Sequence, residues 1–487
     1  MGGVIRREPA AAAAESFDLI VVGAGIHGAT AALEAARRGL RVLVFDRGDF
    51  GGETSWNSLR ILHGGLRYLQ SLDLARFRES VRARSWYVRE MPSLVEPLAC
   101  LMPLYGEGMR RATMLRPALA LNEILRRLWS AGEARDLIPG SRVVDADEVR
   151  ALFPGVRSAG LRGGALWHDA YLPQPQRVLV EMLRRLTARG GVALNYVEAT
   201  GWVVGDGNRI RGIEARDRRA GADLTFRSRA VLNCAGPWAR RVDPSEPSAA
   251  GLTHAPSLAF NLVLDRRLDT GATVAVEPAG GGRTYFLHPL GSRTLAGTYH
   301  APADGPAASP TDGQISEFLE DLTTAVPGFD VSRGDVLRVL AGILPAKRAG
   351  TDEIATRDLW IDASIGGGPD GLFTLIGVKY TTAPLAAIRA LDHITARCFS
   401  EVSATGGECP AEPEPRIVPS WWEFADLARR DGEQARALIS CIVEEESVTT
   451  VEDLLLRRTD WGLVPSEFDE AASLADDWFP ERFSAGG

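Results

Sequence analysis

Residues 17–46 read FDLIVVGAGIHGATAALEAARRGLRVLVFD, and this stretch decides the fold of the chain. The apolar run at 19–22 predicts a strand that is buried on both faces. Residues 29–38 have the composition of a helix, and 41–45 predict a second strand that Asp46 closes. A strand, a helix and a second strand in this order predict a βαβ unit with parallel strands.

The turn between the first strand and the helix fits the pattern G-x-G-x-x-G. Gly23 allows the tight turn, Gly25 lets the backbone approach a pyrophosphate, and Gly28 lets the helix pack on the strand. The helix N-terminus offers N–H groups and a positive dipole end to phosphate. Asp46 is placed to accept hydrogen bonds from a ribose 2′-hydroxyl. These offsets predict a dinucleotide site, and the alternative is a glycine-rich turn in an ordinary α/β sheet.

The composition bounds the class of protein. A chain of 487 residues has room for two or three domains. The net charge of −8 gives no support to a nucleic-acid partner, and no apolar run is long enough to predict an integral membrane span. Residues 1–16 predict a disordered tail. The five cysteines are odd in number and lack metal-ligand spacing, which favours reduced thiols in a cytoplasmic protein.

Lysine is almost absent from the chain. Of 55 basic residues, only Lys347 and Lys379 are lysine. A generic cation at either position would have been arginine, so these two sites point to a need for a compact ammonium group. Chance is the alternative explanation for the count.

A loop dense in small and polar residues follows Asp46, and it suits packing of backbone against a ligand. It ends in HGGLRYL at 63–69. This motif, placed after a dinucleotide unit, resembles the FAD-dependent glycerol-3-phosphate dehydrogenases and α-glycerophosphate oxidases, which belong to the D-amino-acid-oxidase-like flavoproteins.

Three further segments carry the same resemblance. CAGPW at 234–238 is similar to a family segment near the pyrophosphate. GVKYTT at 377–382 resembles the family's G-G-K-x-T-T, with Val378 in place of the second glycine. TVEDLLLRRT at 450–459 resembles the family's C-terminal helical domain. The resemblance covers roughly residues 17–465.

The family implies an α/β fold: a Rossmann-like FAD-binding domain, an antiparallel-sheet substrate domain and a small C-terminal helical domain. On this basis we expect residues 17–100, 160–245 and 350–400 in the FAD-binding domain. We expect residues 101–159 and 246–349 in the substrate domain, and residues 413–487 in the helical domain.

The resemblance implies FAD as the cofactor and no metal. It places the backbone around Val197 beside the adenine. The cofactor-binding residues that we expect are Gly23, Gly25, Gly28, Asp46, Thr54, Ser55, His63, Gly64, Gly65, Val197, Ala235, Gly236, Gly377, Lys379 and Thr381.

The family also implies catalytic positions. By resemblance Arg67, Tyr68, Arg357 and Lys379 line the substrate site, and His63 lies by the flavin as a base or an attachment point. The position of Lys379 between a strand and a helix supports its assignment independently. The alternative is a structural ion pair for each arginine and local packing for His63.

Two positions depart from the family pattern. Leu344 stands where the family has an arginine that helps to hold the substrate phosphate, and Asn261 aligns near a family histidine. A leucine cannot bind phosphate, and a buried dianion without partners is costly. Glycerol 3-phosphate is therefore in doubt as the substrate, unless Lys347 or Arg348 compensates.

The sequence therefore predicts an FAD-dependent oxidoreductase that oxidises an alcohol carbon by hydride transfer to flavin N5. The substrate is glycerol 3-phosphate or a different polyol, sugar or specialised metabolite. The alternatives are an amine or amino-acid oxidase and a non-catalytic flavin-binding protein. The electron acceptor is oxygen or a quinone. We expect a cytoplasmic location, with peripheral membrane association as a variant for which no amphipathic basic helix argues strongly.

Overall fold

The computed structural model describes residues 3–70, 72–106, 112–130, 137–242, 255–278, 281–305, 307–400 and 411–483. The strands are β1 Ser16–Val22, β2 Val42–Phe45, β3 Ile61–Leu62, β4 Glu96–Leu104, β5 Arg142–Val144, β6 Gly163–Tyr171, β7 Val192–Leu194, β8 Val197–Gly205, β9 Arg209–Asp217, β10 Asp223–Asn233, β11 Pro256–Leu264, β12 Thr273–Val276, β13 Tyr285–Leu290, β14 Arg293–Pro302, β15 Val336–Pro345, β16 Leu359–Asp362 and β17 Leu372–Ile376. The α-helices are α1 Pro9–Ala14, α2 Ile26–Arg37, α3 Leu66–Gln70, α4 Leu74–Glu90, α5 Ala112–Trp129, α6 Ala146–Leu152, α7 Pro175–Ala188, α8 Asp312–Ala325, α9 Ala383–Cys398, α10 Trp421–Arg430, α11 Gly432–Glu445, α12 Pro465–Trp478 and α13 Pro480–Phe483.

The first sheet contains the predicted βαβ unit. Its strand order is β16-β17-β10-β1-β2-β7, and the β8–β9 hairpin extends it from β10. β1 pairs in parallel with both β2 and β10, so its apolar side chains are buried on both faces. Helix α2 follows β1 and packs between α7 and α9 over the sheet. The α/β fold with a Rossmann-like unit is confirmed.

The second sheet has the order β15-β11-β14-β13-β12-β4-β6-β3, and β5 pairs with β6. Its pairs are antiparallel except for β4 with β12. Helix α8 covers one face through Phe318, which packs against Phe260 and Tyr285. This arrangement matches the expected antiparallel-sheet domain.

The structure corrects part of the expected domain boundaries. We expected residues up to 100, and those from 160 onward, in the cofactor domain. Strand β6 instead pairs with β4 from Gly163 to Tyr171, and both strands belong to the second sheet. The cause is long-range pairing, since the partner of β6 lies some sixty residues earlier in the chain. The remaining boundaries stay predictions.

The C-terminal helical unit comprises α10 to α13 and a π-helical turn at Asp453–Arg458. It has its own apolar core, in which Phe424 stacks on Trp461 with ring centroids 4.1 Å apart. The turn packs against α7, and Glu446, just after α11, forms a buried ion pair with Arg177 of α7. The expectation of a C-terminal helical domain is therefore met.

The expectation of a disordered tail at 1–16 is wrong for residues 3–16. Ile5 is buried, and its backbone N–H donates to the carbonyl of Glu445 over 2.7 Å. Arg7 forms an ion pair with Asp217, and α1 packs along β10. Burial of Ile5 and of the apolar side of α1 offsets the entropy of ordering this segment.

Helix α5 presents an apolar stripe to solvent. Leu121, Ile124 and Leu128 recur at the spacing of one helix face, and they are 41%, 64% and 67% exposed. The buried side of α5 carries Asn122 and Arg126 as well as Leu119, so the helix lacks the simple division into an apolar and a polar face that a sequence would reveal. Within the described ranges, no helix combines the length and the hydropathy needed to cross a membrane.

Candidate active site

An open cleft of about 1250 Å³ runs along the carboxyl ends of β1, β2, β10 and β17. Ligands of open α/β sheets bind at this edge. Of the predicted cofactor residues, those that line the cleft are Gly23, Gly25, Asp46, Thr54, Ser55, Val197, Ala235, Gly236, Gly377 and Lys379. The predicted residues that do not line it are Gly28, His63, Gly64, Gly65, Arg67, Tyr68, Arg357 and Thr381.

The glycines of the first turn are required by close backbone contacts. Gly23 has φ +92°, and a Cβ there would lie 2.7 Å from the carbonyl oxygen of Cys234. A Cβ on Gly28 would lie 1.9 Å from the carbonyl oxygen of Gly23. Gly28 therefore packs the helix against the turn and stays outside the cleft, which is the structural task expected of it.

Asp46 ends β2 and holds the glycine turn. Its carboxylate accepts the backbone N–H of Ala24 over 2.8 Å and that of Gly48 over 3.0 Å. Burial raises the pKa of Asp46 to about 6, against these two backbone hydrogen bonds, which lower it. The carboxylate is thus fixed at the edge of the cleft, where an acceptor for ribose hydroxyls is expected.

The loop after β2 covers the start of α2. Ser55 Oγ accepts the N–H of Ile26 over 3.0 Å, so a hydroxyl stands at the helix N-terminus. Thr54 Oγ1 donates to the carbonyl of Ile343 over 3.2 Å, which ties the loop to β15. Through these bonds one loop contacts both helix α2 and strand β15 at the cleft.

Two arginine side chains of the C-terminal unit bond the same loop. Arg458 is fully buried and forms a bidentate pair with Asp49 at 2.6 and 2.8 Å. Arg457 donates to the carbonyl of Gly52 over 3.2 Å and lies 4.6 Å from the ring centroid of Trp56. The loop that borders the cleft is therefore fixed by residues some four hundred positions away in the chain.

His27 was not among the predicted site residues, yet it lines the cleft. Its Nε2 is buried and has no hydrogen-bond partner among the described residues. A Cβ on Gly377 would fall 1.8 Å from this atom, so only glycine fits there. Burial lowers the pKa of His27, which keeps the ring neutral. A single sequence offers no signal for this contact, since the two residues lie 350 positions apart.

Lys379, from the turn between β17 and α9, meets Tyr68 of α3. Its Nζ donates to the Tyr68 hydroxyl and lies 4.7 Å from the ring centroid. Burial alone would raise the pKa of Tyr68, but the charges of Lys379 and Arg67 lower it below its ordinary value. Because Lys379 also lines the cleft, this pair connects the cleft to the HGGLRYL segment.

Two predicted arginines lie at the periphery. Arg67 is exposed, with its guanidinium 5.4 Å from the centroid of the Tyr68 ring. Arg357 is exposed too, and its charge adds to the hydrogen bonds from Arg76 that lower the pKa of Asp73. The structure thus brings Arg67 to the Lys379–Tyr68 pair but leaves Arg357 on the surface.

His63 is oriented by a buried carboxylate. Its Nδ1 lies 3.0 Å from Oδ2 of Asp169, whose Oδ1 accepts the N–H of Gly64 over 2.7 Å. Burial would raise the pKa of Asp169, yet the bonds and charges of His63 and Arg84 lower it. The carboxylate is therefore ionised and fixes the imidazole. Asp169 was not among the predicted site residues.

The two glycines after His63 pack against α4. A Cβ on Gly64 would lie 2.4 Å from Arg84 Nη1, and one on Gly65 would lie 2.8 Å from Ser80 Cβ. These contacts give both glycines a packing role. Their cofactor role stays a prediction.

Leu344 and Asn261, which depart from the family pattern, have different surroundings, and Lys347 does not compensate for them at the cleft. Leu344 lines the cleft. Lys347 does not; its side chain is 56% exposed and pairs with Glu353 over 3.2 Å. Asn261 is buried, donates to the carbonyl of Asn57 over 3.0 Å and accepts from Thr298 over 2.8 Å. Neither Lys347 nor Asn261 therefore offers a free group to the cleft.

The cleft fits an elongated dinucleotide. Val197, Glu198 and Ala199 stand at one end, Gly377 to Tyr380 at the other, and the glycine turn lies between. His27 Nε2 is a buried polar atom left for a ligand. Among the described residues, no cluster of three or more His, Cys, Asp or Glu side chains could hold a metal.

Comparison with known proteins matches residues 18–390 to the family model described as FAD dependent oxidoreductase. Glycerol-3-phosphate dehydrogenase 1 of Mycobacterium tuberculosis (strain H37Rv) is 30% identical over 504 residues, which cover 95% of each chain. Glycerol-3-phosphate dehydrogenase of Synechocystis is 28% identical over 424 residues, which cover 82% of this chain and 73% of the other.

Solved structures share the fold. Glycerol-3-phosphate dehydrogenase from Bacillus halodurans complexed with FAD superposes with a TM-score of 0.68 at 21% identity, covering 97% of this chain and 93% of the other. The FAD-bound L-α-glycerophosphate oxidase from Mycoplasma pneumoniae reaches 0.55 at 14% identity, covering 78% of this chain and 95% of the other.

Proposed function

The chain belongs to the family of FAD-dependent oxidoreductases, and from this premise we propose that it oxidises an alcohol carbon of a small molecule. FAD is its cofactor, and bound FAD supplies a hydride acceptor at N5. The observation that carries the proposal is the Lys379–Tyr68 pair at the flavin end of the cleft. An alcohol must lose a proton from oxygen as hydride leaves carbon, and this pair can take that proton.

Residues of the first sheet hold FAD in this proposal. The glycine turn and Ser55 receive the pyrophosphate at the start of α2. Asp46 accepts from ribose hydroxyls, and the backbone at Val197 borders the adenine. His27 Nε2 and the backbone of Gly377 to Lys379 face the flavin, where neutral imidazole offers one hydrogen bond.

Tyr68 and Lys379 act together on the substrate oxygen. A neighbouring ammonium lowers the pKa of Tyr68 and so increases the fraction of phenolate, the form that accepts the proton. The ammonium of Lys379 also stabilises the charge that develops on the oxygen. Arg67 lies beside Tyr68 and binds an anionic or polar end of the substrate. His63, held by Asp169, is a second candidate for the proton acceptor.

The experiment that tests the proposal follows flavin bleaching under anaerobic conditions. The purified holoenzyme is mixed with glycerol 3-phosphate, neutral polyols, amines and amino acids. Bleaching by an alcohol supports the proposal, while bleaching by amines alone replaces it with the amine-oxidase alternative. A protein that binds FAD but bleaches with none of these compounds would be the non-catalytic alternative.

The exposed face of α5 favours a cytoplasmic protein that associates with a membrane. At a membrane, a quinone is favoured over oxygen as the electron acceptor. Leu121, Ile124 and Leu128 form an apolar stripe, and Leu72 and Leu74 are exposed beside it at the start of α4. Exposed arginines of α4 and α5 include Arg78, Arg82, Arg116 and Arg127. An apolar face bordered by cations suits the surface of an anionic membrane. We call Leu72, Leu74, Leu121, Ile124 and Leu128 the apolar patch.

A further inference from the structure

An arginine and a tryptophan that both line the cleft meet across the end of β1. Arg47 follows β2, and Trp238 lies in the short helical turn Gly236–Arg241 that follows β10. Arg47 Cζ lies over the Trp238 ring, 4.3 Å from its centroid. A guanidinium is attracted to the face of an indole at this distance. The contact therefore joins segments that follow two different strands of the first sheet.

The order of the strands shows what this contact crosses. β1 lies between β10 and β2. Its last residue, Val22, is paired with Asn233 of β10 on one side and with Phe45 of β2 on the other. Two interstrand spacings of about 4.8 Å separate the outer strands. Arg47 and Trp238 bridge this gap beyond Val22, where the glycine turn begins. The pair therefore spans the part of the cleft in which we place the pyrophosphate.

The two sides of the pair differ in how firmly they are held. The buried Asn233 closes the turn that carries Trp238, because its Nδ2 donates to the carbonyl of Ala239 over 2.9 Å. Arg47 instead forms an ion pair with Glu53 over 3.0 Å, in which the two side chains are 31% and 57% exposed. Exposed ion pairs are weak, so the guanidinium can exchange this carboxylate for a stronger anion.

Arg47 is the cation available beside the glycine turn. The charged side chains that line the cleft, among the described residues, are Asp46, Arg47, Glu53, Glu198 and Lys379. Lys379 is engaged with Tyr68 at the other end. A pyrophosphate is a dianion, and the glycine turn and Ser55 offer it only neutral donors. Because a charge that leaves water without a partner is costly, the pyrophosphate needs the charge of Arg47.

We propose that Arg47 and Trp238 bind FAD by forming a clasp over its pyrophosphate. The guanidinium of Arg47 leaves Glu53 and pairs with the pyrophosphate oxygens, in the bidentate manner that arginine allows. The indole of Trp238 holds the guanidinium over the glycine turn and excludes water from one side of the ion pair, which strengthens it. The proposal rests on the placement of FAD in the proposed function and adds the residues that retain the cofactor.

The test measures how fast the holoenzyme releases FAD, from flavin fluorescence after dilution. We expect Arg47→Met to release FAD roughly tenfold faster, the scale of one charge-assisted hydrogen bond. Arg47→Lys keeps the charge and should release FAD more slowly than Arg47→Met. Salt should speed release from the unchanged protein more than from Arg47→Met. Trp238→Leu should also speed release, but added to Arg47→Met it should have no further effect, since the indole acts through the guanidinium.

Glu53→Gln separates the clasp from a structural role of the same loop. If Glu53 competes with the pyrophosphate for Arg47, loss of its charge should slow the release of FAD. If the ion pair only stiffens the loop, Glu53→Gln should speed the release. Arg157→Met is the matched control, because the Arg157 guanidinium lies 4.2 Å from the ring centroid of Tyr105 but does not line the cleft. It should leave the release rate unchanged.

Release from Arg47→Met at the normal rate, or faster release from Glu53→Gln, would overturn the clasp. Gly25→Val tests the placement of FAD separately, because its side chain would occupy the glycine turn. A colourless Gly25→Val protein together with normal release from Arg47→Met would overturn the clasp and leave the placement standing. A folded Gly25→Val protein with full flavin occupancy would overturn the placement, and the clasp with it.

Discussion

Lys379 is the residue on which the proposed chemistry depends most directly. Its ammonium contacts the Tyr68 hydroxyl in a cleft that guanidinium would enter with a larger, planar head group. We expect Lys379→Arg and Lys379→Met to keep FAD but each to lose roughly 2–4 kcal/mol of transition-state stabilisation, the scale of one preorganised donor. Rapid-mixing measurement of flavin reduction, with a substrate that the anaerobic bleaching experiment identifies, checks this.

The thermal midpoint of unfolding distinguishes a catalytic role of Lys379 from a purely structural one. If Lys379 only neutralises the turn before α9, Lys379→Arg should reduce flavin at the normal rate. Lys379→Met should then lower the midpoint of unfolding more than the rate. A fully active Lys379→Arg enzyme would contradict the catalytic role.

Asp46 gives the apoprotein a pH-dependent stability. Its folded-state pKa of about 6 lies above its ordinary value of 3.8 because the carboxyl is buried. The stability that it contributes is therefore complete below about pH 4 and is lost as the pH rises through 6. We expect Asp46→Asn to flatten this slope, with a change of roughly 1–2 kcal/mol between pH 5 and 8 for a pKa shift of this size. Thermal unfolding of the apoprotein over this range checks it.

Asp46→Asn should weaken FAD binding although it stabilises the apoprotein at high pH. The asparagine keeps one acceptor oxygen for the backbone but cannot accept two ribose hydrogen bonds as a carboxylate does. FAD should therefore bind more weakly to Asp46→Asn at pH 8, although its apoprotein is relatively more stable there. If fluorescence titration at pH 8 gave the same FAD affinity for Asp46→Asn as for the unchanged protein, the contact between Asp46 and the ribose would be contradicted.

At the scale of elements, the apolar patch predicts binding to anionic vesicles. We expect Ile124→Glu combined with Leu128→Glu to weaken co-sedimentation with phosphatidylglycerol vesicles about tenfold or more, because the carboxylates oppose both burial and surface charge. Ile365, 84% exposed on a distant turn, is the matched control when changed to Glu. Flavin reduction by substrate should stay unchanged in all variants. Unaltered sedimentation of the double variant would remove the membrane proposal.

The sequence predicts elements well where the interactions that define them are local. The strand β1, the glycine turn and α2 follow from neighbouring residues, so their order and the tasks of Gly23 and Gly28 could be predicted. Strand β4 contains Pro97 and Pro103, and prolines in a sequence argue against a strand. Both prolines lie opposite β6, at Ala170 and Gly164, and outside the short pairing of β4 with β12 at Cys100 and Leu101.

The site was predictable where a motif carries it and hidden where two distant segments meet. Lys379, Tyr68 and Arg67 could be named because they stand in recognisable segments. The packing of His27 on Gly377 and the orientation of His63 by Asp169 depend on tertiary contacts. No spacing in one sequence encodes such contacts.

At the scale of the whole molecule, the C-terminal unit stabilises the cofactor site from outside it. Arg458→Met would leave Asp49 buried without its charge partner, which costs about 3–5 kcal/mol. The loop that carries Ser55 should loosen, and FAD should dissociate at least tenfold faster. Flavin fluorescence after dilution measures this release.

Arg293→Met is the matched control for this effect. Arg293 joins the same C-terminal unit to the second sheet through Glu467 over 2.7 Å, away from the loop. The Arg293→Met variant should have a lower thermal midpoint of unfolding but should release FAD at the normal rate. Equal release from both variants would mean that the unit stabilises the fold in general and not the loop.

Because the chain has only two lysines, chemical labelling of their amines can report whether FAD is bound. The two lysine side chains differ in access, since Lys347 is 56% exposed whereas Lys379 Nζ is engaged with Tyr68 inside the cleft. An amine-reactive reagent applied to the holoenzyme should therefore modify the side chain of Lys347 and spare that of Lys379. We expect removal of FAD to expose Lys379 to the reagent, so the ratio of the two labelled peptides in a mass spectrum would report cofactor occupancy without any assay of turnover.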